Sequence, residues 1–141
     1  TNNYKYIVTT DTKYTLRGLN LGSKYVVAVC ANNNIGSTAA AVSNPIKIKL
    51  KKTTLKVSKK GKSAKLSWKK VNTASGYKIY RATSKNGKYK LIKTVKGNKT
   101  FKYNDKKVYK KTRYYYYVKA YATKNKKQYY SDNSAKKSVK I

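Results

Sequence analysis

The stretch Arg113-Tyr114-Tyr115-Tyr116-Tyr117-Val118-Lys119-Ala120-Tyr121-Ala122 alternates strictly between two sets of side chains. Tyr114, Tyr116, Val118 and Ala120 form an aromatic and apolar set, while Tyr115, Tyr117, Lys119 and Tyr121 form a set that admits a charge. A period of two places the first set on a buried face and the second on an outward one, as in a strand covering a core. The same period recurs at Leu55/Val57, at Ala64/Leu66/Trp68 and at Tyr77/Ile79, and no stripe of helical period appears. Turn signals separate these runs: Lys60-Gly61-Lys62, Ser75-Gly76, Asn86-Gly87 and Gly97-Asn98. Short alternating runs with turns at this spacing predict an all-β chain.

The same strand pattern occurs twice, at an offset of 89 residues. Leu19 lies six residues before Tyr25, which is followed on one face by Val27, Val29 and Ala31; Val108 lies six before Tyr114, followed by Tyr116, Val118 and Ala120. Tyr14 and Tyr103 stand at the same offset. A period of this length is that of a domain array.

With these residues aligned, the chain resembles the fibronectin type III domain, an immunoglobulin-like β-sandwich. Residues 51–141 resemble a complete copy: Leu55-Lys56-Val57 as strand A, Ala64-Lys65-Leu66-Ser67-Trp68 as B, Gly76-Tyr77-Lys78-Ile79-Tyr80-Arg81 as C, Leu91-Ile92 as C′, 100–105 as E, 113–122 as F and 128–141 as G. Residues 1–50 resemble the second half of another copy, with Tyr14 to Leu16 as E, Tyr25 to Ala31 as F, a turn at Asn34-Ile35-Gly36-Ser37 and a G strand reaching Pro45. The resemblance implies that strands A, B and C of the first copy precede Thr1, and that Tyr25 and Tyr114 occupy the tyrosine corner, ring inward and hydroxyl on nearby backbone. Trp68, Tyr77, Ile79 and Val118 complete the expected core. The words Gly-Tyr-Lys-Ile-Tyr-Arg and Ser84-Lys85-Asn86-Gly87-Lys88-Tyr89 are similar to modules of secreted and wall-associated proteins of Gram-positive, clostridia-like bacteria, which implies a cell-surface location.

Composition narrows the function. The 141 residues hold 36 Lys+Arg against 3 Asp+Glu, a formal charge of +33, far beyond the roughly 2 to 8 that suits a small soluble domain. Six basic residues and one acidic fall in 1–50, a net +5, and thirty basic with two acidic fall in 51–141, a net +28. There is no His and no Glu, and the carboxylates are Asp11, Asp105 and Asp132. Paired-carboxylate catalysis, a Ser-His-Asp triad and a His-based metal site therefore lack their residues, so neither an enzyme nor a cofactor or metal is expected. Cys30 is alone and forms no internal disulfide. No run reaches the ~18 apolar residues of a membrane span, and Thr1-Asn2-Asn3 does not read as a signal peptide.

The surplus of ammonium groups predicts a polyanionic partner, because a balanced surface is equally soluble and avoids self-repulsion. Lys outnumbers Arg 33 to 3, and a point charge without a planar fork gives delocalised, salt-sensitive contact rather than base reading. With strand C beside F, the outward Lys78 and Tyr80 join Tyr115, Tyr117, Lys119 and Tyr121, extended by Tyr129 and Tyr130, in one aromatic face carrying ammonium groups. Such a face stacks on sugar rings while lysines meet phosphates. The expectation is a non-catalytic module that tethers a surface protein to an anionic wall polymer such as teichoic acid, with extracellular DNA or host glycans as other polyanions. Two alternatives stand beside it: the subunit of a fibre, sheath or surface layer, a homo-oligomer built by sandwich contacts, and the accessory domains of a larger secreted hydrolase.

Overall fold

The structure is a computed structural model that describes residues 4–141, so residues 1–3 of the expected 1–50 half domain lie outside the described residues. Every regular element is a strand. In the first part these are β1 (Lys24–Tyr25), β2 (Ala28–Val29), β3 (Ala41–Val42) and β4 (Ile46–Lys47). The second part holds β5 (Leu55–Lys60), β6 (Ser63–Trp68), β7 (Gly76–Ala82), β8 (Lys90–Lys96), β9 (Lys102–Asp105), β10 (Arg113–Lys124), β11 (Lys127–Tyr130) and β12 (Lys137–Lys140). Among the described residues no helix is long and apolar enough to cross a membrane.

Two antiparallel sheets enclose the core of the second part. One has the order β5-β6-β9; the other runs β11-β10-β7-β8, with β12 also paired to β10. The alternation in the sequence settles which side chains meet: Leu55, Ala64, Leu66 and Trp68 from the first sheet pack against Tyr77, Ile79, Tyr114, Tyr116, Val118 and Ala120 from the second. The Trp68 and Tyr77 rings lie 5.4 Å apart at a tilt of 58°, an arrangement that suits their quadrupoles. Tyr77 keeps its hydroxyl satisfied by accepting from the Val71 N–H at 2.8 Å. The Trp68 Nε1 group is buried without a partner, so this residue contributes by packing.

The last strand differs from a single continuous G. It is divided at 131–136, and two hydroxyl residues bridge the gap. Ser131 and Ser134 each donate their N–H to β10, to the carbonyls of Ala120 (3.0 Å) and Val118 (2.9 Å). Their Oγ atoms accept from the N–H of the same two residues, both at 3.0 Å. The buried edge of β10 thus loses no hydrogen bond where its neighbour bends away. The first part repeats the device: Thr38 exchanges the same pair of bonds with Ala31, and Ser43 with Val27. Ala31 and Ala120 are the residues 89 apart, so the repeat extends from the sequence into the hydrogen bonding.

The first part holds two short two-stranded ladders. β1 pairs with β4 and β2 with β3, around a turn in which Asn33 Oδ1 accepts from the N–H of Ile35 and Gly36. The expected E strand at Tyr14 to Leu16 is absent. Its counterpart β9 is held by β6, and among the described residues nothing in the first part supplies such a strand, so 14–16 has no ladder to join. Val29, Val42 and Ile46 remain exposed for the same reason.

Both tyrosine corners form. Tyr25 accepts from the Asn20 N–H and Tyr114 from the Tyr109 N–H, each at 3.0 Å and each five residues back. Tyr114 is buried in the core, whereas Tyr25, in a ladder of two strands, is half-buried. Replacing Tyr114 with Phe keeps the ring and strands the part-buried N–H of Tyr109, so it is expected to cost about 1–2 kcal/mol; an unchanged urea midpoint would rule out a stabilising corner.

Candidate functional site

The outward set of β10 and that of β7 share one face because of their register. Tyr117 is opposite Tyr80, Lys119 opposite Lys78, Tyr121 opposite Gly76 and Tyr115 opposite Ala82. Tyr80 and Tyr117 stack with centroids 4.7 Å apart and planes 18° from parallel. Tyr89, from the β7–β8 connection, leans on Tyr117 at 4.9 Å and 43°. Lys136 closes this end, its Nζ 5.2 Å from the Tyr89 ring and 3.0 Å from the Lys85 carbonyl. Burial, and then the neighbouring Tyr80 hydroxyl, push the Tyr117 phenol above its ordinary value.

The other end of the face is a lysine and tyrosine cluster. Lys78 Nζ donates to the Tyr130 hydroxyl at 2.9 Å and to Gln128 Oε1 at 3.3 Å, and lies 4.9 Å from the Tyr130 ring centre. The Tyr130 hydroxyl donates in turn to Gln128 Oε1. Lys119 stands 5.9 Å from the same ring. The hydrogen bond to Tyr130 raises the Lys78 amine above its ordinary value, against a smaller opposing effect of burial. These ammonium groups are held by cation–π contacts and hydroxyls rather than projected freely into solvent.

Two expectations need correction. Tyr121 does not point outward as an open stacking surface: it is 6% exposed. A Cβ on Gly76 would stand 2.8 Å from Tyr121 Cε1, so the bare glycine lets the ring lie down on the sheet, and Lys78 covers it at 5.8 Å. Tyr129 does not extend the same face. Its ring instead packs on Gly22, where a Cβ would come within 2.3 Å of Cε1, and Lys127 stands 5.8 Å from it. The structure therefore brings together Lys78, Tyr80, Tyr117, Lys119 and Tyr130, keeps Tyr115 half-buried beside them, and adds Tyr89, Gln128 and Lys136. Tyr89 was not legible as a member, because it lies in a connection where no alternation points a side chain.

Between the two parts lies a cleft of about 400 Å³ lined by Gly22, Lys47, Ile48, Lys49 and the β11 residues Lys127 to Tyr130. Asp132 accepts from Lys49 Nζ across it at 3.0 Å, and Lys124 Nζ donates to Asn20 Oδ1 at 3.1 Å. The Lys49 ammonium holds the Asp132 carboxyl below its usual range.

The other acid of the second part, Asp105, is 1% exposed and joins the two sheets. Its Oδ2 accepts from Arg81 Nη1 at 2.8 Å and from the Tyr116 hydroxyl at 3.1 Å, and its Oδ1 accepts from the Lys107 N–H at 3.1 Å. Arg81 also lies over the Tyr114 ring, 5.1 Å from its centre. Burial first, then the Asp105 charge, push the Tyr116 phenol far above its ordinary value. Sequence reading placed Asp105 at the end of the expected strand E. The signal for its pairing was rarity: with three Asp and three Arg in the chain, an Arg on strand C and an Asp closing strand E are natural partners.

Among solved structures, a two-domain fibronectin type III segment of chicken tenascin superposes over 89% of this chain and 69% of its own, with a TM-score of 0.57 at 16% identity. The fold is that of tandem fibronectin type III sandwiches. A Fn3-like protein from Clostridium thermocellum is 28% identical over 62% of this chain and 85% of its own, with a TM-score of 0.49. The pectate lyase PelI of Erwinia chrysanthemi, in complex with tetragalacturonic acid, is 22% identical over 63% of this chain, with a TM-score of 0.54; the chain spans 28% of that enzyme's length. No protein-family model matches the chain, and no curated protein does. The first part holds two sheets of two strands each, and the second holds sheets of three and five strands. Such a fold supplies rigid faces and spacing, which is consistent with a non-catalytic module.

Proposed function

We propose that this segment is a non-catalytic, extracellular spacer and binding module that holds a bacterial surface protein to an anionic polymer of the teichoic acid kind. The observation that carries the reading is the state of the two carboxylates of residues 51–141. Asp105 is buried on Arg81 and Asp132 is taken up by Lys49, so among the described residues Arg81 alone of the thirty basic residues of this part forms an ion pair, and neither carboxylate is left unengaged. A surface of one sign raises the local concentration of polyanions and exchanges their counterions for ammonium groups. The ladder of Tyr89, Tyr117 and Tyr80 adds a stacking surface whose contribution is insensitive to salt. A chain lacking both His and Glu has no Ser-His-Asp triad and no Glu for paired-carboxylate catalysis.

The test is sedimentation of the full chain with purified Gram-positive walls, intact or stripped of teichoic acid. Binding should be lost on stripping; equal binding to both walls would sink the tether. A second reading, the subunit of a surface fibre, draws on the exposed apolar side chains Val29, Val42 and Ile46 on the short strands of the first part, since exposed apolar groups on open sheet edges associate. The tube without walls separates the two readings, because a self-assembling chain pellets there unaided.

A further inference from the structure

The lysines of the tyrosine face are engaged with their own neighbours, and the unengaged ones are ordered elsewhere. On the β5-β6-β9 sheet the inward set is Leu55, Val57, Ala64, Leu66 and Trp68, with Tyr103 and Asp105. The outward set is Lys56, Ser58 and Lys60 on β5, Ser63, Lys65 and Ser67 on β6, and Lys102 and Asn104 on β9. The register makes a checkerboard. Lys56 is opposite Ser67, Ser67 opposite Lys102, Ser58 opposite Lys65, Lys65 opposite Asn104, and Lys60 opposite Ser63. No lysine directly faces another, which avoids the destabilisation of like charges in register. Neighbouring ammonium groups then fall on diagonals, with backbone spacings of roughly 7–8 Å.

None of Lys56, Lys60, Lys65 and Lys102 donates a side-chain hydrogen bond, forms an ion pair or covers a ring among the described residues. All four are exposed. The face carries no carboxylate and no outward aromatic ring. A surface built only for solubility gains from opposite-charge cross-strand pairs, worth about 0.2–1 kcal/mol each, and here every such position holds a hydroxyl or an amide instead. Ser58, Ser67 and Asn104 can donate to phosphate oxygens or hydroxyls without repelling them, Ser63 donates instead to the Lys60 carbonyl at 2.7 Å, and the ammonium groups meet the charges.

We infer that the outer face of the β5-β6-β9 sheet is the phosphate-binding face, and that its ligand is a base-free linear polyphosphodiester with hydroxyl-bearing repeats. The inference rests on the polyanion reading above and assigns its salt-dependent part to one surface. The absence of rings selects against single-stranded nucleic acid, whose bases draw much of their affinity from aromatic stacking.

The experiment titrates the full chain with poly(glycerol phosphate) and with a thymidine oligonucleotide of equal phosphate number, across a salt series. One variant carries Lys56→Gln, Lys65→Gln and Lys102→Gln. The other carries Lys78→Gln, Lys119→Gln and Lys136→Gln, an equal loss of charge on the tyrosine side. Near-ultraviolet circular dichroism confirms that both are folded, as exposed strand positions should allow. For poly(glycerol phosphate), the first variant should flatten the dependence of log affinity on log salt by about 2, at roughly 0.7 per lost contact, and lower affinity roughly 100-fold near 0.1 M salt. The second should change the slope by less than about 1. Equal effects of the two triples would overturn the face. Tighter binding of the oligonucleotide, lost in the first triple, would overturn the base-free ligand. Failure of the unmodified chain to bind poly(glycerol phosphate) in low salt would instead remove the tether reading on which the face depends.

Discussion

Binding of the chain to an anionic polymer is expected to weaken roughly 10³-fold between about 50 and 200 mM salt, the fall produced by some six to ten phosphate contacts. The expectation follows from the balance of charge in residues 51–141, where both carboxylates are internally satisfied. Ammonium groups that are exposed and unpaired contribute mainly by releasing the counterions condensed on their partner, and that entropy vanishes as bulk salt rises. Lys supplies no bidentate geometry that would survive screening. Isothermal titration at four salt concentrations gives the slope directly. A slope below about 2 would mean that charge is not the attachment device, and attention would pass to the stacked rings of Tyr80, Tyr89 and Tyr117.

The second large effect concerns stability. Replacing Asp105 with Ala should cost about 3 kcal/mol or more, because a buried ion pair that loses one member leaves an uncompensated charge. Arg81 is only partly buried, which keeps the expected value toward the lower end for broken buried pairs. The change also orphans the Tyr116 hydroxyl and the Lys107 N–H, at a junction where β9 meets β7 and β10. Urea unfolding followed by Trp68 fluorescence measures it, and a loss under about 1 kcal/mol would show that the pair behaves as a surface one.

The same junction predicts an alkaline effect. The Tyr116 phenol is raised in the folded chain by burial and by Asp105, so its contribution to stability is complete below the unfolded phenol value of about 10. As pH rises past that value the unfolded chain gives up a proton that the folded chain retains, and stability falls. Tyr116→Phe removes the titrating group and keeps the ring. The stability difference between the unmodified chain and Tyr116→Phe should therefore shift against the unmodified chain as pH is raised from about 9 to 11. Comparing the two chains cancels the relief of lysine repulsion common to both. A constant difference would show that the Tyr116 phenol is not raised in the folded chain.

How far the site could be read from the sequence varies with how local its cause is. The alternation of Tyr114 to Tyr121 needed only the pleat of a strand to sort its two faces, and Lys78, Tyr80, Tyr117 and Lys119 meet as that alternation requires. Tyr121 escaped because its burial depends on a glycine in another strand. Tyr129 escaped because its partner Gly22 lies in the other domain. The short strand expected at Tyr14 to Leu16 failed for want of a neighbour, since a strand is defined by its pairing and carries no hydrogen bonds of its own.

The sequence by itself determined the all-β class, the 89-residue repeat and the excess of positive charge, and the tyrosine corners were what its resemblance to the fibronectin type III domain implied. The first three follow from residue type and spacing along the chain, where side-chain alternation and formal charge are already complete. Only the tertiary structure decided which lysines are spent and which are open. That depends on the register between strands distant in sequence, which sets Lys78 and Lys119 beneath Tyr130 and spaces Lys56, Lys65 and Lys102 among serines on the opposite sheet.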